Sequence, residues 1–284
     1  MLSTAQVNQW HERGWTTIQI DVDEAADAAI ELLPDSKEDT EFGSPDRIGE
    51  FPTGISALDD MVARPEIVNS VKQLLHAFDI RLLQADVWGK YKGIDQRIHQ
   101  DYGNNTLLLP KWETPEAVAV IVYYDNFKGG ETRVVSREGE NDPAYRDGPA
   151  RVAPGYHLPF ENDRKAAEAL IRRVEPRLAE FRDTLYAREV AVPYTKGTVL
   201  FYRHDLWHRG TPTFGTRRVH SLGYVKANTP GWTCWNSGFA RKSYYGVVED
   251  LIRRWTPEQR TLLNIPVHLT DVVEKRYKFP YARL

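Results

Sequence analysis

Gly197-Thr-Val-Leu-Phe-Tyr-Arg-His-Asp-Leu-Trp-His-Arg-Gly210, continued by Thr211-Pro-Thr-Phe-Gly-Thr216 and Arg217-Arg-Val-His-Ser-Leu-Gly-Tyr-Val-Lys226, is the stretch that decides the fold. Gly197 and the β-branched pair Thr198-Val199 argue against a helix and for a strand over Thr198 to Tyr202. Arg203-His-Asp-Leu206 then reads as a turn, and a Gly- and Pro-containing turn over 210–216 leads into a second strand, Arg218 to Lys226. Outward from this stretch, the same texture recurs at Ile80 to Trp88, Thr106 to Leu109, Ala117 to Tyr124, Thr132 to Val135 and Glu189 to Val192. Many short strands separated by Gly, Pro and Asp turns predict a sandwich or barrel, a mainly β protein with flanking helices.

The helices frame this β region. Ser3 or Thr4 caps a short helix with Val7 and Trp10 on one face, Gly14 stops it, and Trp15 to Ile20 alternates like a strand. Residues 1–62 read as helix, strand, helix, loop. Pro65 opens a helix whose apolar residues Ile67, Val68, Val71, Leu74, Leu75 and Phe78 follow helical spacing. Residues 139–188 form a charged excursion in which Leu170, Val174, Leu178, Phe181 and Leu185 fall on one side of an amphipathic helix. A connection of that length inside a β domain is expected to be a helical insertion serving as a lid or binding element. Thr256-Pro-Glu-Gln-Arg260 reads as a capped helix start, and the aromatic segment from 228 onward is expected to wrap the core. With no internal repeat and no low-complexity linker, residues 1–284 read as a single domain.

Composition excludes several classes. Lys+Arg 37 against Asp+Glu 40, with no basic block, gives no electrostatic footprint for nucleic acid. Cys234 stands alone, so the chain has neither an intramolecular disulfide nor a multi-Cys metal site, which suits a reducing compartment. The N-terminus turns polar before a signal-peptide core could form, and no stretch is long and apolar enough for a membrane span. The expectation is a soluble, cytoplasmic enzyme; nothing in the sequence sets an oligomeric state.

The candidate chemistry lies in His99-Gln-Asp101, which closes the strand-like run Trp88 to Ile98. Side chains at i and i+2 of a strand share a face, so His99 and Asp101 can reach one point. His208, after the other strand, completes two imidazoles and a carboxylate, the set that caps one face of an octahedral non-heme iron and leaves three positions open. His204 precedes His208 by four, a spacing that serves a shared metal only on a helix, so it reads as a residue of the site's mouth. His11, His76 and His268 read as surface residues, while His157 and His220 stay open. Iron of this kind needs electrons to cleave dioxygen, and a 2-oxo acid chelating two open positions supplies two through decarboxylation. Its distal carboxylate needs a fixed cation, which a guanidinium provides with two parallel donors. Arg217 and Arg218 follow His208 by nine and ten residues, and only one of them can face inward on a regular strand.

At these residues the chain resembles the phytanoyl-CoA dioxygenase-like family of Fe(II)- and 2-oxoglutarate-dependent oxygenases, over most of its length. Val7 to Ile20 looks like the family's opening helix and strand, and Trp88-Gly-Lys-Tyr-Lys-Gly93 is similar to the element before its His-x-Asp. Val118 to Asp125 followed by Gly129-Gly-Glu-Thr-Arg-Val-Val-Ser136 matches a further block in part. The Ser-His that closes that block is missing, and Arg137-Glu-Gly-Glu140 stands in its place. Gly197 to His208 with Arg217-Arg218 is the closest stretch. The resemblance implies a double-stranded β-helix (jelly roll, cupin-like) binding Fe(II), 2-oxoglutarate and O2, with Arg217 as the oxo-acid anchor, Arg218 as its flanking partner and Lys90 touching the co-substrate. Related halogenases replace the carboxylate by a small residue; Asp101 is retained, so hydroxylation or a related oxidation such as desaturation of a small molecule is implied. Substrate contacts are expected from Tyr102, Asn104, Asn105, Trp112, Arg133, His204 and Trp232. Two rivals stand beside this reading: a cupin-like metalloenzyme using the triad without an oxo acid, which leaves the arginine pair idle, and a catalytically silent jelly-roll binding module, against which an intact triad argues.

Overall fold

Ser3 accepts the N–H of Gln6 while the Gln6 side chain accepts that of Ser3, a reciprocal cap that starts helix α1 (Thr4–Arg13). Gly14, at φ 90°, takes the left-handed turn that ends it and delivers the chain into strand β1 (Trp15–Gln19). Then follow α2 (Asp23–Leu32), β2 (Ile48–Glu50), α3 (Ser56–Asp59), α4 (Pro65–Leu75), β3 (Ile80–Lys90), β4 (Ala117–Tyr123) and β5 (Thr132–Val134). Helices α5 (Pro143–Arg146), α6 (Arg164–Val174) and α7 (Pro176–Arg188) separate β5 from β6 (Val190–Ala191), β7 (Thr198–Arg203), β8 (His208–Gly210) and β9 (Arg217–Lys226). The described chain closes with α8 (Val247–Arg254) and α9 (Pro257–Arg260), the latter started by a Thr256 capping box. The computed structural model describes residues 1–35, 48–101, 115–139, 141–146, 163–229, 246–265 and 267, and the strand expected at Thr106 to Leu109 lies outside them.

Six strands form one antiparallel sheet in the order β1-β7-β4-β9-β3-β2, and three form a second, β6-β5-β8. The sheets share an apolar filling that includes Tyr123, Val134, Leu200, Tyr202, Leu206 and Val219, so the protein is a jelly roll with helices outside. The other face of the large sheet (Val87, Val120, Val122, Phe201, Leu222, Tyr224) packs against Trp10, Ala29, Val71, Leu74, Leu251 and Trp255. Strands β4 and β7 are thus covered on both faces, which is why their sequences run nearly unbroken in apolar residues.

Register sets which side chains reach which face. Lys90 lies opposite Arg217 and Gly89 opposite Arg218. The two-residue period turns Lys90 and Arg217 toward the small sheet and Arg218 and His220 toward the helices.

Several expectations are corrected. The 88–98 run does not stay in the sheet: β3 ends at Lys90, and the chain continues irregularly to an isolated bridge at His99. Glu175 and Pro176 break the apolar stripe of the 139–188 excursion into α6 and α7, because proline cannot donate to the preceding turn and forces its predecessor out of helical backbone, here to φ −141° and ψ 74°. Val174 is accordingly 65% exposed, while Leu178 and Leu185 are buried. Phe78 falls outside α4, which ends where His76 turns left-handed, and is fully exposed. The N-terminal loop region contributes an edge strand, β2, and a short helix, α3. Among the described residues no helix is long and apolar enough to cross a membrane.

His220 sits wholly buried on the helix-facing side of β9 with Nδ1 2.9 Å from the Tyr124 hydroxyl, and burial pushes it down to about 3. In the unfolded chain a histidine titrates near about 6.5, so between these values the unfolded chain binds a proton that the folded chain refuses, and stability falls as pH drops. At about pH 5 the loss from this residue is roughly 2 kcal/mol. The urea-unfolding free energy of the His220→Asn variant is expected to fall less between pH 7 and pH 5 than that of the wild type, by about that amount; equal falls would contradict a neutral buried imidazole.

Candidate metal and anion site

Beyond Lys90 the chain returns to β8 first where the Gln96 N–H donates to the Gly210 carbonyl at 3.1 Å, and then at a full residue pair: the His99 N–H donates to the His208 carbonyl and the His208 N–H to the His99 carbonyl, each at 2.9 Å. The Asp101 N–H then donates to the His204 carbonyl at 3.0 Å, so residues 99–101 run antiparallel to 204–208. In such a pair both side chains leave the same face, and the imidazoles of His99 and His208 stand with ring centroids 4.4 Å apart. Asp101 Oδ1 lies 3.8 Å from His99 Nε2 and 3.5 Å from His208 Nε2. One ligand atom from each of the three residues lies within 4.8 Å of the others.

Their tautomers follow from their neighbours. His99 Nδ1 is 3.0 Å from the Arg97 carbonyl and His208 Nδ1 2.9 Å from the Leu206 carbonyl. A carbonyl only accepts, so each Nδ1 carries the proton and each Nε2 turns a lone pair toward Asp101. Tyr202 donates its hydroxyl proton to Asp101 Oδ2 at 2.7 Å, leaving Oδ1 for the centre. Burial alone would raise the Asp101 carboxyl, but His208, His99, His204 and the Tyr202 hydrogen bond outweigh it and hold it below the usual carboxylate range. Three lone-pair donors converging with no proton between them are a poor arrangement by themselves and a good one around a cation. Two imidazoles and a carboxylate fit iron(II) and its divalent neighbours, with the hydrogen bonds from Nδ1 and from Tyr202 fixing the ligand orientation.

A second cluster lies two residues further along the same face of β8, roughly 6.6 Å at strand spacing. Lys90 is 0% exposed and its Nζ has no hydrogen-bond partner. Arg217, 5% exposed beside it, leaves Nε and Nη1 without partners and places its guanidinium 5.8 Å from the Tyr123 ring centre. Burial, then the neighbouring Arg217, pushes the Lys90 ammonium well below the usual lysine value. Both point at Gly210: a Cβ added there would stand 2.7 Å from Lys90 Nζ, 2.6 Å from Gln96 Oε1 and 3.4 Å from Arg217 Nη2. Two buried cations with unused donors around a missing side chain form a cradle for an anion.

Arg218 is not part of this cradle, contrary to the expectation that it flanks the co-substrate. Its guanidinium donates to the Leu33 carbonyl at 2.6 Å, to Asp35 at 2.6 Å and to Asp125 at 3.2 Å, joining the sheet to the end of α2. Arg133, expected among the substrate contacts, lies on β5 opposite Arg209, on the face away from His208, and pairs with Glu131 at 3.3 Å and Glu189 at 3.6 Å. His204 is buried near Asp101, and neither ring nitrogen has a hydrogen-bond partner. His76 is exposed and stacks on the partly buried His11 at 5.3 Å. Tyr102, Asn104, Asn105, Trp112, His157, Trp232 and His268 lie outside the described residues. Sequence reasoning missed Tyr202, although its even spacing from Leu200 and Thr198 places it on the site face, and it missed Gly210, whose signal was its two-residue spacing from His208.

No family model matches the chain, and no curated protein sequence matches it. Solved structures do. HygX from Streptomyces hygroscopicus, with nickel and 2-oxoglutarate bound, is 14% identical and covers 82% of this chain and 90% of its own, at a TM-score of 0.53. SnoN, a non-heme alpha-ketoglutarate-dependent epimerase from nogalamycin biosynthesis, is 16% identical over 78% of this chain and 82% of its own, at 0.54. SnoK, an alpha-ketoglutarate-dependent carbocyclase from the same biosynthesis, is 15% identical over 85% and 90%, at 0.54. At these identities the likeness is one of fold.

If the three residues hold a metal, Asp101→Ala abolishes stoichiometric Ni(II) binding in a calorimetric titration while the thermal unfolding of the metal-free protein stays near that of the wild type. Retained wild-type affinity would remove the carboxylate from the site.

Proposed function

We propose that the chain is an Fe(II)- and 2-oxoglutarate-dependent dioxygenase that hydroxylates or otherwise oxidises a small molecule. The observation that carries the reading is the pair of buried, unsatisfied cations, Lys90 and Arg217, one short strand step from the His99-Asp101-His208 set. A metal site alone suits many chemistries; a metal site with a basic cradle at the reach of a five-carbon diacid suits an oxo acid that chelates at one end and is held at the other. A cupin-like enzyme working without an oxo acid would leave these two cations with nothing to neutralise them.

Bound iron would supply the reduction of O2 coupled to decarboxylation of 2-oxoglutarate to succinate and CO2, with oxidation of the substrate. The protein's share is positioning and exclusion of water. His99 and His208 present Nε2 because their Nδ1 protons are held by backbone carbonyls. Asp101 presents one oxygen because Tyr202 holds the other. Arg217 and Lys90 orient the distal carboxylate, with Arg217 fixed by the aromatic face of Tyr123 and Tyr123 in turn donating to Thr132 at 2.7 Å.

SnoN and SnoK are an alpha-ketoglutarate-dependent epimerase and carbocyclase, whereas the site residues of this chain read, in sequence, as those of an oxidising enzyme. Oxidation at a C–H bond is therefore the proposal, with the retained Asp101 weighing against halogenation. Membership of the phytanoyl-CoA dioxygenase-like family, a single domain over 1–284, and a cytoplasmic location are the finer readings, supported respectively by the motif resemblance, the absence of linker-like sequence and the lone cysteine.

Anaerobic addition of Fe(II) and then 2-oxoglutarate to the folded protein is expected to produce the weak visible charge-transfer band of the chelate; a properly folded protein without that band overturns the proposal. In steady-state assays of 2-oxoglutarate turnover, Arg217→Ala is expected to raise the 2-oxoglutarate requirement at least tenfold with little change in folding stability. Arg218→Ala should instead leave the 2-oxoglutarate requirement near that of the wild type and lower the stability to urea by about 3 kcal/mol, since it removes the buried guanidinium from Asp125 and leaves that carboxylate only Lys128 at 3.3 Å and the backbone N–H of residue 218. Interchanged phenotypes would move the anchor by one residue.

A further inference from the structure

The residue before the first candidate ligand is held by a device the proposed chemistry does not use. Ile98 is 0% exposed and lies one step outside the His99–His208 bridge. In an antiparallel pair, adjacent residues direct their N–H and C=O groups to opposite sides, so Ile98 turns its peptide groups away from β8. Side chains of α7 take the place of the missing strand. The Ile98 N–H donates to the Tyr186 hydroxyl oxygen at 3.0 Å, and the Ile98 carbonyl accepts from Arg182 Nη2 at 2.9 Å.

Both groups are themselves held from α6. Arg182 is 1% exposed, and its Nε lies 2.9 Å from each oxygen of Glu168. The Tyr186 hydroxyl donates to Glu168 Oε1 at 2.7 Å. One carboxylate thus orients the guanidinium and the phenol, and these two hold the peptide groups of Ile98. The same helices grip the segment further back: Arg164, at the start of α6, donates its backbone N–H to the Asp95 carbonyl and its Nε to the Asp95 carboxylate at 2.8 Å.

We infer that the helical excursion is a clamp that sets the position of His99, with Arg182, Tyr186 and Glu168 as positioning residues for the metal centre; the inference rests on the metal reading above. It differs from the lid expected of so long a connection. A lid closes over a site from the mouth, whereas these contacts reach the backbone behind a ligand. The irregular run 91–98 reaches β8 through one backbone bond, from the Gln96 N–H to the Gly210 carbonyl at 3.1 Å, and on the other side of Ile98 the clamp supplies the partners that a neighbouring strand would.

The test uses Co(II) as the probe, added anaerobically to the full chain, with the dissociation constant and the visible d–d spectrum as readouts beside thermal unfolding without metal. Tyr186→Phe removes one hydroxyl and Arg182→Met removes the guanidinium. Arg172→Met removes an exposed ion pair to Asp183 that links the same two helices without touching Ile98, and serves as the control. The expected result is Co(II) binding weakened roughly 10- to 100-fold in the first two variants, with a changed d–d band, and near wild-type binding in the control. Tyr186→Phe decides the matter if Arg182→Met does not fold. Wild-type affinity and spectrum in folded Tyr186→Phe, or equal losses in the control, overturn the clamp alone. Failure of the wild type to bind Co(II) overturns the metal centre and the clamp with it.

Discussion

Two backbone hydrogen bonds, exchanged between His99 and His208, are the constraint on which the candidate centre depends. They join segments 109 positions apart in the chain and leave the two imidazoles no freedom over which side they occupy. Once that pair is formed, Asp101 follows by the two-residue period, and the carbonyls of Arg97 and Leu206, each two residues before its histidine, fix the ring nitrogens in the same sense. The near-symmetry of the two histidines is a property of the antiparallel pair before it is a property of a metal.

β9 shows how one strand serves folding and chemistry with neighbouring residues of the same type. Arg218 faces the helices, and every direction of its guanidinium meets an oxygen, on Leu33, Asp35 or Asp125. Arg217 faces the small sheet, where it meets a second cation, Lys90, across the strand pair. Buried charge without a partner costs stability, and the surrounding apolar packing, with Tyr123, Leu200 and Val219 in one cluster, holds that unfavourable pair in place. The contrast separates a buried arginine that ties elements together from one whose Nε and Nη1 meet no protein acceptor.

Much of this was legible in the sequence, for identifiable reasons. β-branched and aromatic runs marked most of the strands, and capping residues marked α1 and α9, because those signals are local. The spacing of His99 and Asp101 put both on one face, and the strict alternation of a strand required that Arg217 and Arg218 part company. What stayed illegible was set by tertiary pairing. The run before His99 reads as strand by composition, yet it meets β8 only locally, at Gln96 and Gly210, and follows an irregular path braced by α6 and α7. Arg133 carries the charge of a substrate contact, but parity on β5 turns it outward to Glu131 and Glu189. The stripe from Leu170 to Leu185 obeys helical spacing, and Pro176 in its middle overrules it.

Gly210 has a consequence for how such a protein could change over generations. The atoms nearest its absent Cβ, Lys90 Nζ and Gln96 Oε1, are the far ends of flexible side chains, and its backbone has no left-handed angle to protect. A single methyl group there would be accommodated by small swings, with the fold and the three candidate ligands intact. It would also plug the cradle. The position is therefore a silent point of drift, at which a lineage could close the cradle and keep every residue by which it would ordinarily be recognised.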